Sequence, residues 1–152
     1  MNEPQLRYPE SPLLSGEIFH QSWAARGMAI GDLDNDGRID FVVTSIDGPA
    51  WVIHNETPEQ NHWITLKLEG VQSNRDGIGA QVKISTTAGD QSAVTTASSY
   101  QSSSDKRVHF GLGAATSISR IEIRWPTGIR QVLSDVKADQ ILNAKEARST
   151  QK

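Results

Sequence analysis

Short runs of alternating apolar and polar residues recur along this chain, and nearly every one is closed by a cluster of Gly, Pro, Asn, Asp or Ser. A period of two places successive side chains on opposite faces of a strand, whereas the amphipathic-helix period of about 3.6 residues is nearly absent. The fold class that follows is all-β. The clearest unit is RIEIRWPTGIRQVL, in which Ile121, Ile123 and Trp125 alternate with Glu122 and Arg124 before Pro-Thr-Gly turns the chain back. It reads as a hairpin with its apolar side in the core.

The runs fall into two groups. GEIFH around Phe19, RGMAI, DFVVT and AWVIHN make a small meander, and the polar, proline-bearing ETPEQN follows it. A domain boundary is placed there, with residues 1–57 before it and 58–147 after it. The second group opens with HWITLKLEG, where Ile64, Leu66 and Leu68 share one face. After the turn SNRDGIG come AQVKIST, with Val82 and Ile84 on one face, and the weaker run SAVTTAS. SSYQSSSDK, residues 98–106, is too polar for a central strand and reads as a loop. RVHFGLG is a further short strand and ADQIL a candidate last one, while NAKEARSTQK is polar enough to fray, with 148–152 as a tail.

Composition removes several functions. The net charge of −3 leaves no basic footprint for nucleic acid. No run approaches the roughly 18 apolar residues of a spanning helix, so membrane insertion is not expected, and MNEPQLRYPE is not an export signal. With no cysteine, disulfides and thiolate metal sites are excluded.

Charge is concentrated in one place. In DLDNDGRID, Asp32, Asp34, Asp36 and Asp40 stand within nine positions and Gly37 supplies a sharp turn. At an effective dielectric of about 20, each close carboxylate pair costs on the order of 4 kcal/mol. Alternating hard oxygen ligands of this kind suit Ca2+. An EF-hand would carry a glutamate at the twelfth position, but counted from Asp32 that position is Val43, in a β-branched run. The loop therefore reads as a calcium turn between strands, with the four aspartates as side-chain ligands and the carbonyl of Arg38 as the fifth. The alternative is a solvated acidic turn satisfied by Asn-Asp-Gly.

Catalytic signatures are missing. Glycosidase carboxylates lie about 5 to 9.5 Å apart on different elements, whereas these share one tight loop. No Gly-x-Ser-x-Gly elbow occurs, and His20, His54, His62 and His109 are spaced as isolated structural or exposed imidazoles. GIGAQV has Val82 where a dinucleotide fingerprint needs its third glycine. Trp63 and Trp125 are candidates for a sugar-stacking platform, with at least one expected in the core. No enzymatic activity is expected.

Two stretches resemble known families. SGEIF through RGMAIGDLDNDGRIDFVVTSIDGPAWVIHN resembles an FG-GAP (VCBS, integrin-α-like) propeller repeat, with its D-x-D-x-D-G-x-x-D loop between strands. Asn61-His62-Trp63, Asn74-Arg75-Asp76 with Gly79-Ala80, FGLG at 110–113 and WPTG at 125–128 resemble the ASPIC/UnbV domain of the cartilage acidic protein family. The resemblance implies a single β-propeller blade followed by a β-sandwich-like domain. A propeller closes with about four to eight blades, so the further expectation is a fragment whose missing blades are its partners. It also implies an extracellular or periplasmic location and a binding or adhesion role, with a protein or carbohydrate ligand left open. The other function weighed is an accessory or substrate-contacting domain of an exported carbohydrate-active or biosynthetic enzyme. A third is a structural cap, which requires an exposed apolar patch on residues 15–55.

Overall fold

The computed structural model describes residues 24–58, 61–96 and 100–148. Ten strands make up its regular structure, and the described residues include no helix: β1 (Ala25–Gly31), β2 (Asp40–Ser45), β3 (Trp51–Ile53), β4 (His62–Glu69), β5 (Gln81–Thr86), β6 (Gly89–Val94), β7 (Val108–Gly113), β8 (Ser117–Arg124), β9 (Arg130–Lys137) and β10 (Gln140–Lys145). They form three sheets, ordered β1-β2-β3, β10-β4-β7 and β6-β5-β8-β9. The expected run GEIFH lies outside the described residues.

The two larger sheets enclose one core. Ile64, Leu66 and Leu68 of β4 and Val108, Phe110 and Leu112 of β7 join Val82 and Ile84 of β5 and Ile118, Ile121 and Ile123 of β8. In β4, β5 and β7, and at Ile121 and Ile123 of β8, the buried residues are the apolar half of an alternating run, so sequence period and buried face coincide; Ile118, three positions before Ile121, departs from that period. Trp125, 1% exposed, closes the end of this core beside the Pro-Thr-Gly turn, and its Nε1 donates to Gln131 Oε1 at 3.2 Å. The β8–β9 hairpin forms as the alternation requires, with Arg124 opposite Arg130.

Neighbouring strands pair antiparallel throughout except β10, which runs parallel to β4 from Gln140↔Ile64 to Lys145↔Glu69. Two carboxylates fasten this pair at its ends. At the start, Asp139 accepts from Trp63 N (3.2 Å) and pairs with His62 Nδ1 (2.6 Å), while its own N–H donates to Trp63 O (2.7 Å). At the far end, Glu146, 2% exposed, accepts at 2.7 Å from the N–H groups of Val71, Gln72 and Ser73 and from the Thr127 hydroxyl. The expected fraying of NAKEARSTQK is therefore corrected for residues 143–146, which are ordered by pairing along β4, by burial of Ala144 in the core and by the Glu146 carboxylate; residues 149–152 lie outside the described set.

The small sheet rests on the β4–β7 side. Ser102 Oγ donates to Met28 O (2.7 Å), Ile30 N to Ser104 Oγ (3.2 Å) and Asp105 N to Ile30 O (2.9 Å), so residues 102–105 of the expected loop run along the edge of β1, while its residues 98 and 99 lie outside the described set. Gly37 meets the indole of Trp63 so closely that a Cβ there would overlap the ring, and its φ of +90° disfavours any other residue. The register Met28↔Val43↔Trp51 and Ile30↔Phe41↔Ile53 puts six apolar side chains on one face of this sheet. Met28, Ile30, Phe41 and Trp51 on that face are 48%, 43%, 37% and 36% exposed.

Two outcomes test this arrangement. Burial raises the Glu146 carboxyl pKa, but the hydrogen bonds of Ser73, Thr127 and Gln72 outweigh it and hold the pKa at about 2, against 4.5 unperturbed. The folded-state value is the lower one, so this contribution is complete above pH 4.5 and is lost as pH falls towards 2. Glu146→Gln should cost about 2 kcal/mol at neutral pH and flatten the acid limb of a denaturation-versus-pH series. Gly37→Ala should cost about 1–3 kcal/mol and shift the Trp63 fluorescence in a thermal melt, since both the turn and the indole contact oppose a methyl group.

Candidate metal centre

The acidic loop joins β1 to β2, and its shape is set by its own carboxylates. Asp32 Oδ1 and Oδ2 accept from Asp36 N and Gly37 N, both at 3.0 Å, and Asp36 Oδ1 accepts from Arg38 N at 2.8 Å. Asn35 sits at φ +65°, a left-handed conformation that asparagine tolerates better than most residues. Asp40, 1% exposed at the start of β2, accepts from Leu33 N (3.0 Å) and Asn55 N (2.9 Å). Burial raises its pKa, but those two N–H groups and His54 prevail, so its carboxyl lies below the ordinary aspartate value.

Carboxylate oxygens of Asp32, Asp34 and Asp40 lie within 4.8 Å of one another, and ligand atoms of Asp34, Asp36 and His54 form a second such group. Asp36 also pairs with the Arg38 guanidinium, whose Nε donates to Asn55 O at 2.5 Å. The three carboxylates not neutralised in this way are the three that converge. At this separation each pair costs about 3–4 kcal/mol at a dielectric near 20. Oxygen donors at alternate positions around a glycine turn fit a hard divalent cation of the Ca2+ type.

His54 was missed as a member of this group. The β2–β3 register, Phe41 opposite Ile53, brings the next residue, His54, beside Asp40. Its Nδ1 lies 3.0 Å from Asp40 Oδ1 and its Nε2 3.6 Å from Asp34 Oδ2. Arg107 was missed as well. It reaches from the start of β7, donating to Asp32 O and Asn35 Oδ1 (both 2.6 Å) and to Asp105 Oδ2 (2.5 Å).

Of two clefts on this side of the molecule, the first adjoins the loop and the second is lined by Arg107 but by no loop residue. The first, of about 360 Å³, lies between the loop, β4, β6 and β7 and includes Ile30, Asp32, Thr65, Val94, Thr95 and His109. There His109 stacks on Trp63 with ring centroids 5.9 Å apart, and its Nδ1 is 2.8 Å from Thr65 Oγ1. Burial lowers the His109 pKa, which favours the neutral imidazole. Thr95, 3% exposed, has a buried hydroxyl without a hydrogen-bond partner, a state that costs about 1–3 kcal/mol. The other cleft, of about 500 Å³, brings Asp76, Asp105 and Lys106 together with Asn143, while Glu122 pairs with Arg120 (3.2 Å) and does not line it. Asp76 is bonded to Lys106 Nζ at 2.5 Å, and that bond holds its carboxyl below the ordinary range.

The comparison with curated proteins gave no match. The family model described as ASPIC and UnbV matches residues 70–151, over half of the 152 residues, and the chain therefore belongs to the ASPIC/UnbV family.

Proposed function

We propose that this chain is a non-enzymatic, calcium-stabilised binding or adhesion-type module, in which one FG-GAP-like propeller blade stands before an ASPIC/UnbV domain. Asp32, Asp34, Asp36 and Asp40 supply side-chain oxygens to Ca2+, and Arg38 a carbonyl. The observation that carries this reading is the convergence of Asp32, Asp34 and Asp40 oxygens within 4.8 Å, with no cationic side chain among the described residues paired to the Asp32 carboxylate. Bound calcium supplies the positive charge that cancels their repulsion, so ordering of the loop and metal binding are one thermodynamic event. A site of the weak extracellular kind, with Kd about 10⁻⁴ to 10⁻³ M, fills outside cells or in a periplasm.

The exposed apolar side chains of Met28 and Phe41 on one face of the small sheet support the blade assignment. An isolated blade leaves one face of its sheet without a partner, and a patch of this kind marks a surface meant to be covered. Further blades are its proposed partners, which places this chain in a larger exported protein.

One observation favours a second reading, an accessory or substrate-contacting domain of an exported carbohydrate-active or biosynthetic enzyme. Asp76 and Asp105 share a cleft with Lys106 and Asn143. Both carboxylates are engaged, Asp76 by Lys106 and Asp105 by Arg107, and a general acid needs its pKa raised. The binding reading is preferred for that reason.

A nitrogen-15/proton NMR titration of the whole chain tests the calcium site. Amides from Leu33 to Asp40 should shift saturably at millimolar calcium and respond less to magnesium, whose octahedral demand this loop meets poorly. Asp34→Asn, at an exposed position with 51% of its side chain accessible, should leave the fold intact and weaken calcium at least about tenfold. A loop that ignores calcium, or an unchanged affinity in this variant, rejects the assignment.

A further inference from the structure

The cleft between the acidic loop and β4, β6 and β7 carries polar groups that neither the fold nor the proposed metal uses. Thr95 stands at the end of β6, held by Thr95 N to Ala80 O (2.8 Å) and Gly79 N to Thr95 O (2.9 Å). Its backbone is therefore fixed, while its hydroxyl is buried in the cleft wall without a partner. Thr65 engages His109 Nδ1, which leaves Nε2 without a partner among the described residues. A hydroxyl and a neutral imidazole nitrogen on facing elements can each donate or accept.

Apart from Asp32, which belongs to the proposed metal, the charged side chains at the cleft are paired. Asp105 pairs with Arg107, Lys106 with Asp76, and both Asp32 oxygens accept backbone N–H groups. An anionic ligand would find no unpaired cation among the described residues here, and the acidic side is taken by the proposed metal, whereas an uncharged ligand with several hydroxyls would find both polar partners. Apolar surface completes the lining: Ile30 and Val94 are 43% and 55% exposed and stand at its edge. Its volume of about 360 Å³ is at the small end of ligand sites, which begin near 300 Å³.

We propose that this cleft binds a small neutral polyhydroxyl ligand, a single sugar residue, with Thr95 and His109 as its polar contacts and Ile30 and Val94 against its C–H face. The inference rests on the binding-module reading and is independent of calcium. It assigns the ligand to a surface that exists only where the small sheet meets the sandwich.

The test is a nitrogen-15/proton NMR titration of the whole chain with glucose, galactose and N-acetylglucosamine in turn, and with sulfate as an anionic control. At least one sugar should shift the amides of Thr65, Thr95, Val108 and His109 saturably at millimolar concentration. Thr95→Val keeps the shape and removes the hydroxyl, and should weaken that sugar about tenfold; Thr95→Ser should restore binding. Val94→Glu changes an exposed position, should fold normally and should block the cleft, so it decides the matter if the Thr95 variants do not fold. No saturable shift with any sugar, binding unaltered by Thr95→Val or Val94→Glu, or a response to sulfate alone overturns the proposal. Thr95 and His109 lie outside the loop whose amides report calcium, so either titration can fail while the other stands.

Discussion

β4 is the strand on which the other parts depend, because its core face is buried along its length and its other face is covered at Thr65, with Lys67 and Glu69 exposed beyond it. Ile64, Leu66 and Leu68 point into the sandwich core, and Thr65, 1% exposed, is buried on the opposite face against His109. Its two edges are also taken, one by β7 and the other by β10. A buried core face and pairing on both edges leave β4 no freedom of register, since a slip of one residue would carry Lys67 into the core and Ile64, Leu66 and Leu68 out of it. Trp63, the second residue of this strand, then stacks on His109 and meets Gly37 of the acidic loop. The position of the candidate metal centre relative to the sandwich is thus inherited from β4. The family match begins at residue 70, one residue after this strand ends, yet the sheet it belongs to cannot be assembled without it.

Much of the fold was legible because its signal is local. Alternation located β4, β5, β7 and β8 and identified the buried faces of β4, β5 and the second half of β8, and Trp-Pro-Thr-Gly marked the β8–β9 turn. The polar C-terminal stretch misled for a definable reason. β10 gains its order from pairing along β4, from burial of Ala144 in the core and from one buried carboxylate, and none of these leaves an apolar pattern. A glutamate whose oxygens accept three backbone N–H groups looks in sequence like any surface glutamate. Only the loop at Val71–Ser73, distant along the chain, gives it meaning. The serine-rich stretch is a loop in its described residues 100–106, as its polarity indicates, but its bonds to the edge of β1 use hydroxyls and single backbone groups that no periodicity reports.

The candidate site divides along the same line. Asp32, Asp34, Asp36 and Asp40 were legible because they lie within nine residues, where spacing and turn chemistry act directly. His54 was within reach of a register argument, because a β2–β3 hairpin that pairs Phe41 with Ile53 leaves Asp40 and His54 adjacent. Arg107 and Thr95 were beyond such reasoning. Arg107 meets the loop from 75 positions away, and Thr95 is distinguished only by the missing partner of its hydroxyl.

Arg107 gives the loop a second dependence. Its guanidinium donates to Asp32 O and Asn35 Oδ1 while its Nε holds Asp105, whose N–H in turn donates to Ile30 O. These bonds form a closed path from the acidic loop through the start of β7 and the 102–105 segment back to β1. Charge-assisted bonds of this kind are worth more than neutral ones, and removing one member leaves its partners unsatisfied. A loop that unfolded would therefore release Arg107 and loosen the contact of the small sheet with the sandwich. Whatever orders the loop strengthens that contact by the same free energy, because both draw on one set of bonds.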